Sequence, residues 1–423
     1  MKKIIINKKY TKDSQKEYLK VPFMIEEEFD HLIFEYSYKR FDSANNEINI
    51  VDIGLFDNEN NFRGWSGSNK TKIYISETFS TPGYQKVVLT PGQWYIALGL
   101  YKIKDVVDVE IKIELYPKKY AWLSSDLHMH TVNSDGEYKT KEVIGFCKKL
   151  GLDCIALTDH NNTEQDKESL SDNELSIIHG MEYTNYRGHA NFFFTGDKTD
   201  FILNPLTNSF EEMKELFVEM KAQGCIISLN HIFDTFCPWD FGFEDFPYDV
   251  IEIWNGFMTK DNMEAVKWWH SYISKGNKLP IIGGSDTHKM LPFRTFASPA
   301  TFIYSNSKSP DNLLKAIKNG NCTVSYYLDG PQIDFIIDNA FVGQTIKYKE
   351  NLNGTLSVKN IKKNQEVLLI SNQGKERRWI AKENDKFNEV FPIEKRLFYR
   401  IEIYQMIEGI SILAAISNPI YIR

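Results

Sequence analysis

The chain holds nine histidines. Six of them, His128, His130, His160, His189, His231 and His288, fall in one stretch with the carboxylates Asp135, Glu182 and Asp286. Most stand at or just after a short apolar run of the kind that forms a β-strand. Imidazole and carboxylate are the donors that borderline divalent ions prefer, and a barrel of parallel strands presents its reactive side chains at the strands' C-terminal ends. These nine residues are therefore candidate metal ligands. His128 and His130 are separated by one residue, so on a strand both point to the same face and can share an ion. Residues 279–284 run into Ser285, Asp286, Thr287 and His288, which repeats the alternation and adds a carboxylate and an imidazole. Residues 154–157 lead to Asp159 and His160, residues 225–229 to Asn230 and His231, and Ile177-Ile178 through Gly180 to Glu182. Buried carboxylates without a counter-ion are costly, so Asp135, Glu182 and Asp286 gathered together imply cations. His31, His179 and His270 lack such company and read as solvated or hydrogen-bonded side chains.

The order of these pieces resembles a known family. Asp126-Leu127-His128-Met129-His130-Thr131, Ser134-Asp135-Gly136, Leu157-Thr158-Asp159-His160-Asn161, Gly180-Met181-Glu182, Asn230-His231 and Ser285-Asp286-Thr287-His288 look like the successive motifs of the PHP (polymerase and histidinol phosphatase) family. Gly188-His189-Ala190-Asn191 and the ending from Ala415 to Ile422 are similar to the carbaryl-hydrolase-like branch. The resemblance covers residues 120–330 and implies a distorted seven-stranded (β/α) barrel holding two or three divalent ions (Zn, Mn or Fe). It implies His128, His130 and Asp286 on one ion, with Glu182 bridging to a neighbour held by Asp135, His160 and His288. His189 and His231 would hold a third. Asp135 stands where many members have histidine. For His189, a loop histidine hydrogen-bonded near the mouth is the alternative.

The elements that must position these residues fall into three stretches, giving the expected domains 1–118, 119–330 and 331–423. The middle one alternates strands with helix candidates at 140–150, 210–223, 260–275 and 310–318. The last opens with Ser309 as cap and Pro310 at its first position, and Gly320 follows it. Strands are also expected at 250–254 and 301–304, and strand-helix-strand repetition means a parallel sheet able to close into a barrel. The first 118 residues carry aromatic and β-branched runs at 32–38, 48–56, 85–90, 94–101 and 107–115, with turns at 57–61 and 90–93, as in a jelly-roll-like β-sandwich. A lid, a carbohydrate contact or a packing role would suit such a module. The tail, with runs at 332–337, 355–358, 366–371, 397–404 and 412–416, predicts a small β-sandwich or a sheet capping the barrel.

At 423 residues with 42% hydrophobic and 25% charged residues, the composition is that of a globular protein. The net charge of −7 disfavours a nucleic-acid polymer as partner. The first residues do not read as a signal peptide and no run has the length expected of a membrane span, while the five cysteines contain no Cys-x-x-Cys pair. A cytoplasmic location is expected, with Cys154 and Cys225 as small core residues. No nucleophile elbow, P-loop or dinucleotide fingerprint is present. Two or three divalent ions outweigh the three carboxylates, so the site favours a transition state that gathers negative charge. A phosphoesterase is the favoured reading, acting on a small phosphorylated metabolite or nucleotide with a metal-bridging hydroxide as nucleophile. Asp159 is the candidate to orient a ligand imidazole or carry a proton, and Arg294, with Lys289, to reach an anionic group. Asn255 is placed to touch substrate. The aromatic loop 236–246 reads either as a pocket wall or as a hydrophobic plug under the N-terminal domain. Hydrolysis of a carboxyl ester or carbamate at the same centre, and a non-catalytic carbohydrate-binding protein, are the alternatives.

Overall fold

A computed structural model describes the chain except for residues 169–173, 197–202, 204–205, 208, 245 and 293, so Asp245 of the aromatic loop lies outside the described residues. Two compact units are present, one formed by Met1–Tyr120 and the other running from Ala121 to the C-terminus.

The first unit is built from eight strands: β1 (Lys2–Thr11), β2 (Tyr18–Ile25), β3 (Phe29–Tyr38), β4 (Ile50–Phe56), β5 (Phe62–Ser66), β6 (Lys72–Ser76), β7 (Gly92–Lys102) and β8 (Val106–Pro117). They form two four-stranded antiparallel sheets, ordered β1-β8-β3-β6 and β2-β7-β4-β5, which is the strand order of a jelly roll. Alternation drives the assembly. In β8 the side chains of Val107, Val109, Ile111, Ile113 and Leu115 are buried while their neighbours face outward, and they join Phe34 and Trp94 in one core. The expected strand at 85–90 is instead a loop with an isolated bridge from Leu89 to Phe29. The lysine-rich β1 escapes a hydrophobicity reading because it is an edge strand, where lysines guard against stray pairing.

In the second unit the helices follow their capping signals. They are α1 (Thr140–Leu150), α2 (Phe210–Ala222), α3 (Lys260–Ser274) and α4 (Pro310–Lys318). Ser209 and Glu212 form a reciprocal capping box on α2. Gly151 after α1 and Gly320 after α4 adopt φ of 77° and 75°, the left-handed conformation that glycine accepts at a helix end.

The central sheet contains β9 (Ala121–Asp126), β10 (Cys154–Leu157), β11 (Ser176–Asn185), β12 (Gly188–Phe193), β13 (Ile226–Leu229), β14 (Val250–Asn255), β15 (Ile281–Gly284), β16 (Ala300–Ser305) and β17 (Cys322–Ser325). Its order is β15-β14-β13-β12-β11-β10-β9-β16-β17. Pairing is parallel for β9/β10/β11 and β13/β14/β15. The strand β12 is antiparallel to both its neighbours. Among the described residues no backbone ladder closes this sheet into the expected (β/α)7 barrel. A hairpin joins β11 to β12 in place of a helical crossover, and β16 runs antiparallel to β9. The segments that follow β9 and β15 are linked by an isolated parallel bridge between Met129 and Thr287. Thr301 adds a tie by accepting from the Gly283 amide at 2.9 Å and donating to its carbonyl at 2.7 Å.

The tail continues the central sheet, because β17 pairs with Ile410–Ser417, which pairs in turn with Phe398–Ile407. A second sheet formed by Gln332–Ile337, Ala340–Phe341, Asn353–Lys359 and Lys386–Pro392 shares a core with it through Phe335, Leu356, Leu369 and Ile401. No helix among the described residues is long and apolar enough to cross a membrane.

Candidate metal centre

The site is assembled from the segments that follow the parallel strands. Backbone bonds knit them together: the Asp286 amide donates to the His128 carbonyl (2.8 Å), the His130 amide to Thr287 (3.2 Å), and the Glu182 amide to Thr158 (3.2 Å). Beneath them, buried Asp126 accepts from the amides of Ser285 (3.0 Å) and Ala297 (2.7 Å), and burial pushes its carboxyl up to about 6. Gly284 leaves the space that the His128 side chain needs, since a β-carbon there would collide with the β-carbon of His128. His231 and Asp286 adopt φ of 27° and 49°. Such strained non-glycine conformations persist where the surroundings enforce them, and they cluster at functional sites.

Glu182 lies at the centre. Its Oε1 is 3.3 Å from His128 Nε2, 3.2 Å from His189 Nδ1 and 3.3 Å from His231 Nε2. Its Oε2 is 3.0 Å from His160 Nδ1 and 3.5 Å from His130 Nε2. Asp286 Oδ1 stands 3.5 Å from His128 Nε2 and 3.1 Å from His130 Nε2. Asp135 Oδ1 faces His160 Nε2 (3.4 Å) and His288 Nε2 (3.0 Å). All nine sequence-identified residues therefore gather in one place. Donor atoms of eight of them, all but Glu182, fall with Cys237 into three groups, each within 4.8 Å: His128, His130 and Asp286; His130, Asp135, His160 and His288; and His189, His231 and Cys237.

Electrostatics follows from this crowding. Burial would raise the Glu182 carboxyl, but the imidazoles of His128, His189 and His160 hold it well below its usual range. Burial would likewise depress His128 and His160; the carboxylates around them reverse this, holding His128 well above its ordinary value and His160 at about 10. The Nε2 atoms of His128 and His130 are nonetheless buried without a hydrogen-bond partner. Two orphaned imidazole nitrogens aimed at carboxylate oxygens make a donor set suited to divalent cations.

Sequence reading missed several participants. Glu252, buried in β14, reaches His128 Nδ1 at 3.0 Å and accepts from the His231 amide (3.1 Å) and Asn255 Nδ2 (3.0 Å). A carboxylate on the far nitrogen fixes a ligand imidazole's orientation and raises its basicity. Asn230 Nδ2 donates to Glu182 Oε1 at 2.9 Å. Cys237 Sγ lies 3.7 Å from His231 Nδ1. Asp159 has a positioning geometry: it accepts from the Thr131 amide, the Thr131 hydroxyl and Ser134 Oγ, and that Oγ lies 3.5 Å from His130 Nδ1. Lys289 turns away to pair with Glu137. His179 faces Asp166 at 3.1 Å, away from the cluster.

A cavity of about 750 Å³ opens beside the cluster, lined by His231, Glu252, Asn255 and Arg294 together with Phe233, Phe236, Phe257, Leu291 and Pro292. Arg294 Nη2 is 3.7 Å from Asp286 Oδ2. The aromatic loop divides its work. Phe236 faces the cavity, whereas Trp239, Phe241 and Phe246 pack with Phe217 of α2 in the unit's own core.

A parallel-strand scaffold with histidines and carboxylates at the strand ends defines a divalent-metal protein class. The PHP domain matches residues 126–357, more than half the chain, and the protein belongs to that family. Among solved structures, it is similar to a two-domain protein containing a predicted PHP-like metal-dependent phosphoesterase from Bacteroides vulgatus, at 20% identity over 70% of this chain and 95% of that one, with a TM-score of 0.40. A putative metal-dependent phosphoesterase from Bifidobacterium adolescentis is 15% identical over 46% of this chain and 94% of its own (TM-score 0.32). An amidohydrolase from Chromobacterium violaceum with bound sulfate is 15% identical over 40% and 89% (TM-score 0.29). No curated protein matches the chain.

Proposed function

We propose that this protein is a metal-dependent hydrolase of small phosphoesters. The observation that carries the reading is the pair of orphaned Nε2 atoms on His128 and His130, turned toward Glu182 and Asp286, in a cluster whose His231 and Glu252 line a cavity with Arg294. Two groups, His128-His130-Asp286 and His130-Asp135-His160-His288, would each hold a divalent ion, with Glu182 between them. When bound, such ions supply Lewis acidity, activating water near neutral pH and stabilising charge on phosphoryl oxygens. Glu252 holds the His128 imidazole in orientation, and the chain Asp159, Ser134 does the same for His130. Glu252 also adds a fourth carboxylate to the three counted from sequence, which narrows the positive margin and gives Arg294 more weight as the anion contact. Asn255, its amide fixed by Glu252, lines the cavity. The phenylalanines and Pro292 suit an apolar leaving group.

Phosphate and vanadate should inhibit competitively. Arg294→Ala should raise KM for a phosphoester about tenfold to a hundredfold, as the loss of one charged hydrogen bond implies. An unchanged KM would remove Arg294 from the site. The apolar lining of the cavity also supports a second reading, hydrolysis of a carboxyl ester or carbamate, for which phosphate would inhibit weakly and Arg294→Ala would matter little.

A further inference from the structure

We propose that Cys237 is a thiolate ligand of a divalent cation held with His189 and His231, forming a metal position softer in character than the other two. The proposal rests on the metal-site reading above and extends it to a residue outside the His/Asp/Glu set. Cys237 Sγ, His189 and His231 offer donor atoms within 4.8 Å of one another. The arrangement is built by the fold. Asp234 Oδ1 accepts from the amides of Phe236 (2.8 Å) and Cys237 (3.1 Å), curling the loop so that Sγ returns to 3.7 Å from His231 Nδ1. The Trp239 amide closes the loop on the Ile232 carbonyl at 3.1 Å. Trp239 then lies against Gly188, where a β-carbon would stand 2.5 Å from its ring, and the Asp240 amide donates to the Arg187 carbonyl at 2.8 Å. The Cys237 loop is thus clasped to the start of β12, one residue from His189. Two of the three donors are pinned by the same contacts.

His231 is largely buried, its strained backbone aims the ring between Glu182 and Cys237, and Glu252 holds its amide. Without a cation the thiol donates to Asp234 Oδ1 at 3.5 Å. On binding, the S–H proton passes to solvent and the sulfur–metal bond forms, while Asp234 keeps its two backbone donors. Thiolate with imidazole selects zinc or cobalt over manganese or magnesium, whose preferred donors are oxygens. The remaining cysteines, Cys147, Cys154, Cys225 and Cys322, are buried away from this group.

Full-length metal-free protein titrated with cobalt tests this directly. At saturation a thiolate-to-cobalt charge-transfer band should appear in the near ultraviolet. Cys237→Ser should lose that band and one equivalent of tightly bound zinc, with its far-ultraviolet circular dichroism unchanged. A saturated wild-type protein without the band, or a band retained in Cys237→Ser, would overturn the proposal. Should the variant not fold, zinc-edge X-ray absorption of the wild type decides, with sulfur at about 2.3 Å expected and its absence contradicting. Uptake of two cobalt equivalents without sulfur character sinks this proposal alone, whereas no uptake of cobalt or zinc sinks the metal-site reading as well.

Discussion

At the residue scale, the centre depends on groups that touch no substrate. Glu252 bonds His128 Nδ1, so Glu252→Gln, which keeps the shape and removes the charge, should weaken metal affinity or turnover about 10–100-fold while thermal unfolding of the metal-free protein stays close to wild type. Calorimetric metal titration checks this, and unaltered affinity and turnover would show that the contact is only structural. Most of the cluster was legible because metal-ligand chemistry restricts residue types, and because His128, His130, Asp286 and His288 alternate at strand ends. Glu252 carried a signal that was passed over: a carboxylate between Ile251 and Ile253 in a run destined for burial must have a partner. Cys237 carried none. Its place beside His231 is created by a loop closure that depends on Trp239 and Gly188, which no local spacing encodes.

At the element scale, positions without reactive side chains control the site. Gly284 ends β15 where the His128 side chain passes, so Gly284→Ala should displace that imidazole and abolish tight metal binding while far-ultraviolet circular dichroism remains that of the folded protein. Overpacking of this kind typically costs about 1–3 kcal/mol, which a domain of this size can survive. Retained metal stoichiometry in Gly284→Ala would contradict the geometry. The four helices were legible to within a residue or so because caps, Pro310 and terminal glycines punctuate them. The direction of β12 was not. The sequence marks an apolar run leading to Glu182 but no separate strand around His189, so neither the hairpin that joins β11 to β12 nor the reversal of β12 could be read from it. In the N-terminal unit, the long aromatic strands were readable, but the edge strand β1 exposes too many lysines to stand out, and β5 and β6 are only five residues long.

At the scale of the whole molecule, every candidate ligand comes from the unit that starts at Ala121. A chain spanning residues 121–423 should therefore bind the same number of ions as the full protein, and a lower stoichiometry would show that the jelly-roll unit contributes to the centre. Chelation should lower the melting temperature, because an ion at one hundred times its Kd stabilises the folded state by about 2.7 kcal/mol. Since the imidazoles must shed protons to bind it, apparent metal affinity should fall as the pH is lowered. The proposed function requires a metal centre tuned to phosphoryl chemistry. One metal-loaded preparation assayed side by side on an aryl phosphomonoester, an aryl carboxyl ester and an aryl carbamate tests it most directly. Preferential turnover of the phosphoester, lost on chelation and restored by metal, is the predicted result; preferential turnover of the carboxyl ester or carbamate would contradict it.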